Sequence, residues 1–196
     1  MAEPARARWT TDEFLAWDER QPDRHELVDG VPLRMMAGAS EGHNDVVINI
    51  VSELRTRLRG KPCRPFNGDS AVETKPGQIR RPDAGVHCSP RQPSALMARD
   101  PRLVVEVLSP STRDFDTYRK ADEYKLVPGL ARILLVDPNR PEVFMWNRDG
   151  AGEWESATVA GMEAVIDMPE IGIALPLAEI YLDIVFPAEL RLVMGD

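Results

Sequence analysis

At 196 residues the chain is long enough for one ordinary domain with a sizeable core and cramped for two. Its 43% hydrophobic and 29% charged content reads as globular rather than disordered, and no apolar run is long enough to span a bilayer. A formal net charge of −8 argues against a broad, passive coat on nucleic acid, because phosphate binding is driven by Lys and Arg.

In chain order, Thr10-Thr11-Asp12-Glu13 forms a capping box that opens a short helix through Phe14, Leu15 and Trp17. His25 to Met35 reads as two strands joined by Asp29-Gly30, a strong hairpin signal. Ser40 opens a longer helix whose Val47, Ile50, Val51, Leu54 and Leu58 share one stripe, with His43 a turn ahead of it. Extended runs follow at Arg64 to Phe66 and at Ser70 to Thr74, separated by Asn67-Gly68, and then after Asp83 and around Glu106, with a Pro-rich loop from Pro90 to Pro101. A helix is expected from about Arg113 to Leu126, closed by Pro128-Gly129. A buried strand Ile133 to Asp137, a meander through Val143 to Trp146 and Trp154 to Val159, and a short helix within Leu175 to Ile180 complete the chain. The pattern is one mixed α/β domain with a central sheet.

The chemistry concentrates at Glu26, Asp83, Glu106 and Lys120. Glu106 lies inside Leu103-Val104-Val105-Glu106-Val107-Leu108, where an acid is costly to bury without a partner or a metal. If the strands carrying Asp83 and Glu106 pair, their acids converge as hard oxygen ligands for Mg²⁺ or Mn²⁺, with the Val107 carbonyl as a further ligand. Lys120 follows on the next helix, on one face with Asp116 and Tyr124, where an ammonium would offset charge at a phosphoryl centre. Each residue has a plainer use. Glu26 would pair with Arg24 or Arg34, Asp83 would cap a loop, His43 would be a helix-start residue, and Lys120 would pair with Asp116 on the surface. Packed carboxylates repel, so one of them should titrate above its ordinary value.

Arg80 and Arg81, Arg55, Arg57, Arg59 and Lys61, and Arg64 are available as a local basic rim, or as solvated charged faces. Met1 to Arg6 lacks the apolar segment of a signal peptide, so export is not indicated. Cys63 and Cys88, with no CxxC pair, fit a reduced, cytoplasmic protein without structural zinc.

Arg24-His25-Glu26-Leu27-Val28-Asp29-Gly30, Ser40-x-x-His43, Arg81-Pro82-Asp83, Val104 to Thr112, Asp116-x-x-x-Lys120-x-x-x-Tyr124 and Leu135-Val136-Asp137-Pro138 occur in that order. As an ordered set they resemble the Uma-type restriction-endonuclease-like proteins of the PD-(D/E)XK nuclease superfamily, from about Thr10 to Ile184. The resemblance implies a single domain over residues 1–196, with a restriction-endonuclease-like α/β core and a mixed central β-sheet flanked by helices. It also implies a divalent metal, Mg²⁺ or Mn²⁺, and hydrolysis of DNA phosphodiester bonds, with a homodimer as the natural arrangement for cutting two strands. Glu26, Asp83 and Glu106 carry over as the acids, with Asp83 and Glu106 as the principal ligands. Leu108 stands where the superfamily has its lysine, and Lys120 is the natural migrated substitute. A non-catalytic binding or regulatory module on the same scaffold, and a hydrolase of another phosphate ester, are the competing readings.

Overall fold

In the computed structural model, residues 8–35, 39–109 and 116–186 are described. Helix α1 (Thr11–Asp18) begins at the expected capping box, with Thr10 accepting from the Glu13 amide and Glu13 accepting from the Thr10 amide. Strands β1 (His25–Val28) and β2 (Val31–Arg34) form the hairpin, with Asp29 and Gly30 both at positive φ, 50° and 77°. Two positive φ values match the right-handed twist of the flanking strands. Helix α2 (Glu41–Arg57) is capped by Ser40, whose hydroxyl accepts from the His43 amide. Its buried stripe runs Val46, Ile50, Leu54 and Leu58, one residue earlier at its start than expected, while Val47 and Val51 flank it.

Strands β3 (Arg64–Asn67) and β4 (Val72–Lys75) flank the Asn-Gly turn but do not pair with each other. A short unanticipated strand, β5 (Gln78–Arg80), draws β4 into a four-stranded sheet of order β2-β1-β5-β4. β3 joins β6 (Ala84–His87), β7 (Pro101–Val107), β8 (Arg132–Asp137), β9 (Glu142–Arg148) and β10 (Trp154–Ala160) in a six-stranded sheet of order β10-β9-β8-β7-β6-β3. Only β7 and β8 are parallel in it, connected through α3 (Asp116–Tyr124). The expected start of that helix near Arg113 lies outside the described residues. The expected central sheet is the mixed six-stranded one, and the four-stranded sheet is separate from it. A small hairpin, β11 (Val165–Met168) and β12 (Ile173–Pro176), precedes helix α4 (Leu177–Ile180), so Leu175 and Pro176 of the segment expected to hold a short helix are strand and the rest is helix.

Both faces of the six-stranded sheet are covered, which is why β8 is apolar throughout Ile133-Leu134-Leu135-Val136. Leu134 and Val136 face α2, with Leu103, Val105, Ile50 and Leu54, whereas Ile133 and Leu135 face Tyr124, Val104 and Leu130 on the α3 side. Gly85 on β6 has no alternative: a Cβ there would land on the Phe66 ring and the Leu103 carbonyl.

The cysteines depart from the expectation of a reduced pair. Cys63 and Cys88 form a disulfide that ties the turn after α2 to the end of β6. No spacing motif signals this bond, because antiparallel pairing of β3 with β6 brings the two residues together. Among the described residues no helix is long and apolar enough to cross a membrane.

Candidate active site

β6 and β7 pair antiparallel with Ala84 opposite Val105, so Asp83, one step earlier, faces Glu106. Directly opposed residues share a face of the sheet with Cβ atoms about 5 Å apart. The expected convergence of these acids is thus a consequence of register. It lies on the α3 side, where Glu106 is surrounded by Val104, Leu135 and Tyr124. The Asp83 Oδ2 accepts from the Val107 amide at 2.7 Å and lies 3.5 Å from His43 Nε2 at the start of α2. The Glu106 Oε1 accepts from the Tyr124 hydroxyl at 2.7 Å and lies 3.6 Å from Lys120 Nζ. Among the described residues, Asp83 Oδ1 and Glu106 Oε2 carry no hydrogen bond from the protein.

Glu26 arrives from the other sheet. Leu27 on β1 pairs with Ile79 on β5, so Glu26 faces Arg80 and its Oε2 accepts from Arg80 Nη1 at 2.7 Å. Its Oε1 accepts from the Arg81 amide and stands 3.2 Å from Lys120 Nζ. Lys120 therefore bridges Glu26 and Glu106, with its side chain 23% exposed. Neither Arg24 nor Arg34 is the partner of Glu26, since they pair with Asp69 and Asp23. The side chain of Asp116 lies outside what is described. Two other lysines are engaged elsewhere, Lys125 with Asp122 and Lys75 with Asp29.

Arg80 and Arg81 are not a solvent rim. Both are buried, Arg80 between Glu26 and Glu123, and Arg81 against Asp18, the His25 carbonyl and the Asp69 carbonyl. Gln78 completes the shell by donating to Glu123. These supporting residues escaped the sequence reading. A basic pair beside Pro82-Asp83 was visible, yet nothing local revealed that its partners sit on α3, β1 and α1.

The buried and half-buried groups at this junction include four carboxylates, Glu26, Asp83, Glu106 and Glu123, against two fixed cations, Arg80 and Lys120. Burial, assisted by the charges of Asp83 and Glu26 and opposed by Lys120 and Tyr124, pushes the Glu106 carboxyl up to about 7. The anticipated high-titrating acid is thus Glu106. At Lys120, burial disfavours the ammonium, but Glu106 and Glu26 outweigh it and raise its pKa above the ordinary lysine value. His43 is raised by its hydrogen bond to Asp83 against the cost of burial.

Two facing carboxylates with free oxygens, inside a buried excess of negative charge, form a hard donor set suited to a divalent cation. Among the described residues no three His, Cys, Asp or Glu side chains are grouped so that together they could hold a metal ion, so Glu26 does not join Asp83 and Glu106 as a third ligand. Two carboxylates suffice for an ion such as Mg²⁺, which keeps several waters. Leu108, where a lysine would follow the acid in the nuclease pattern, packs against the α3-side core. The ammonium found beside Glu106 is that of Lys120, 3.6 Å away on α3.

The α/β fold with acids converging at the end of paired strands is that of restriction-endonuclease-like proteins. The Uma2 family, described as "Putative restriction endonuclease", matches residues 11–178, and the chain belongs to it. Two uncharacterised proteins of Synechocystis sp. are similar over most of their length. Slr1290 is 30% identical over 177 residues (89% of this chain, 92% of the relative) and sll1609 is 26% identical over 164 residues (81% and 91%). A crystal structure described as a "putative nuclease belonging to DUF820" from Anabaena variabilis superposes with TM-score 0.66 at 19% identity, covering 88% of this chain and 97% of that one. At that identity the likeness speaks for the fold.

Proposed function

We propose that the protein is a metal-dependent endonuclease that hydrolyses phosphodiester bonds of DNA. The observation that carries this reading is the Asp83–Glu106 pair, each with an oxygen free of protein hydrogen bonds, beside the Lys120 ammonium. Asp83, Glu106 and the Val107 carbonyl would hold Mg²⁺ or Mn²⁺, which when bound supplies Lewis-acid stabilisation of negative charge developing on the phosphoryl oxygens. Glu26, already bonded to Arg80 and Arg81, serves chiefly by fixing the lysine.

Lys120 stays protonated throughout the working pH range, because its pKa lies above that of an ordinary lysine. It is therefore an electrostatic and positioning group, not a base. Its ammonium sits where it orients an attacking water by hydrogen bonding and offsets charge in the transition state. Tyr124 holds Glu106 in the rotamer that leaves Oε2 free. Cation binding requires Glu106 to lose its proton, so affinity should rise as pH climbs towards 7 and above. A homodimer, placing two such sites on two strands, belongs to the same reading.

The test is plasmid incubation with Mg²⁺ or Mn²⁺, beside Asp83→Ala and Glu106→Ala. Loss of cleavage on the order of 10³-fold is expected in both variants. Cleavage at the parent rate in both would overturn the assignment. Leu108, an apolar side chain packed against the core where the nuclease pattern has its lysine, favours the competing reading of a non-catalytic module. Calorimetry separates the two, since that module should show no Mg²⁺ binding at millimolar concentration.

A further inference from the structure

At the far end of β6 and α2 from Asp83, the protein carries a cationic groove that the candidate active site does not use. Two adjoining clefts of about 540 and 280 Å³ share Arg64, Ser89, Pro90 and Arg91. Their walls hold Arg55, Arg59, Lys61, Arg64, Arg91 and Arg99 and no carboxylate, in a chain whose net charge is −8. A quarter of the 24 basic residues thus line one groove.

The groove is also built. Arg64 donates to the Ser89 and Pro90 carbonyls, Lys61 donates to the Gly172 carbonyl, and the Cys63–Cys88 disulfide joins its two sides. Arg55, Arg59, Arg91 and Arg99 have no acidic partner among the described residues and are exposed. Their guanidinium groups are available to an outside anion. The His87 imidazole in the smaller cleft senses this environment. Burial first, then Arg64, lower its pKa against the opposing charge of Asp100.

We infer that this groove binds the phosphate backbone of a nucleic-acid duplex, outside the catalytic site and without reading its sequence. The inference rests on the nuclease reading for its choice of ligand. Unpaired arginines suit phosphate oxygens, which they engage through bidentate hydrogen bonds. No Phe, Tyr or Trp lines either cleft, and a single imidazole, His87, does not make the row of stacking rings typical of single-strand binding. From Asp83 to Cys88 the strand advances about 17 Å, which is about five base pairs of duplex. The two ends thus lie within the length of a 20-base-pair duplex. Cations after α2 also complement the negative end of that helix, a structural role that the test must separate from binding.

The test is fluorescence anisotropy of the full chain with a labelled 20-base-pair duplex, without metal, across a salt series. The quadruple variant Arg55→Gln, Arg59→Gln, Arg91→Gln and Arg99→Gln spares Arg64 and Lys61, which hold the groove together. It is expected to bind at least about tenfold more weakly, with a slope of log affinity against log salt shallower by about three. Thermal unfolding should remain near that of the parent. Unchanged affinity and slope, or a lowered Tm alone, would overturn the inference. So would loss of binding to phosphatidylserine vesicles or inorganic phosphate with duplex binding intact. Asp83→Asn serves as the contrast and should keep the parent salt slope. A shallower slope in the quadruple variant, with no cleavage by any form, would leave the groove standing and sink the nuclease. Cleavage by the quadruple variant with parent KM would do the reverse.

Discussion

Two groups of buried carboxylates lie within one junction, and the protein treats them differently. Glu26 and Glu123 are saturated: Arg80 spans them, Gln78 and the Arg81 amide fill remaining positions, and Lys120 and Arg119 stand at the edges. Asp83 and Glu106 each keep an oxygen without a protein donor, and Glu106 titrates near 7. A fold built only for stability would complete both pairs, since an oxygen taken from water without a donor costs about 1–3 kcal/mol. Under the proposed function, the first pair is scaffold and the second is the site. That function also explains why the two must adjoin, for the scaffold pair is what fixes Lys120 against Glu106.

The comparison breaks most severely at Arg80. Arg80→Met leaves Glu26 and Glu123 buried without their shared cation, and a loss of about 3–5 kcal/mol is expected in denaturant unfolding. A loss below 1 kcal/mol would mean that the pair is not scaffold. Lys120→Met should lower kcat about 10²-fold while duplex affinity changes little, because its charge acts on the transition state. An equal change in KM alone would assign Lys120 to ground-state binding.

Glu106→Gln sharpens the contrast through pH. The folded pKa of about 7 lies above the unfolded value, so the folded state holds a proton that the unfolded state has released. Glu106 therefore lowers stability progressively as pH rises from about 4.5 to 7, and its cost is constant above that range. Metal-free Glu106→Gln should be more stable than the parent by about 1–3 kcal/mol at pH 8, should match it near pH 4, and should not cleave. Parallel stability curves for the two proteins would show that Glu106 is not strained. Tyr124→Phe is the mildest variant, with about 1 kcal/mol lost and the Glu106 titration shifted further upward as a lowering hydrogen bond disappears. NMR of the Glu106 carboxyl would read that shift.

What was legible in the sequence follows the range of the interaction. The Thr10–Glu13 box and the Asp29-Gly30 hairpin are governed by neighbours, and both formed as expected. The acids were legible because Glu106 violates its apolar run and Asp83 precedes a strand of matching register. Strands β5, β11 and β12 were not, being three or four residues long and too short to show a period. Arg80 looked like surface because its partners, Glu26 and Glu123, come from distant β1 and α3. The Cys63–Cys88 bond was misjudged for the same reason, since a bridge across sheet pairing leaves no spacing signature.

That bridge has a practical consequence. A preparation kept in thiol reductant and one kept in air are chemically different molecules at the basic groove, because only in the second are the turn after α2 and the end of β6 covalently joined. Measurements on the two are not interchangeable, and laboratories comparing affinities should fix the buffer's redox state before attributing any discrepancy to DNA length or metal.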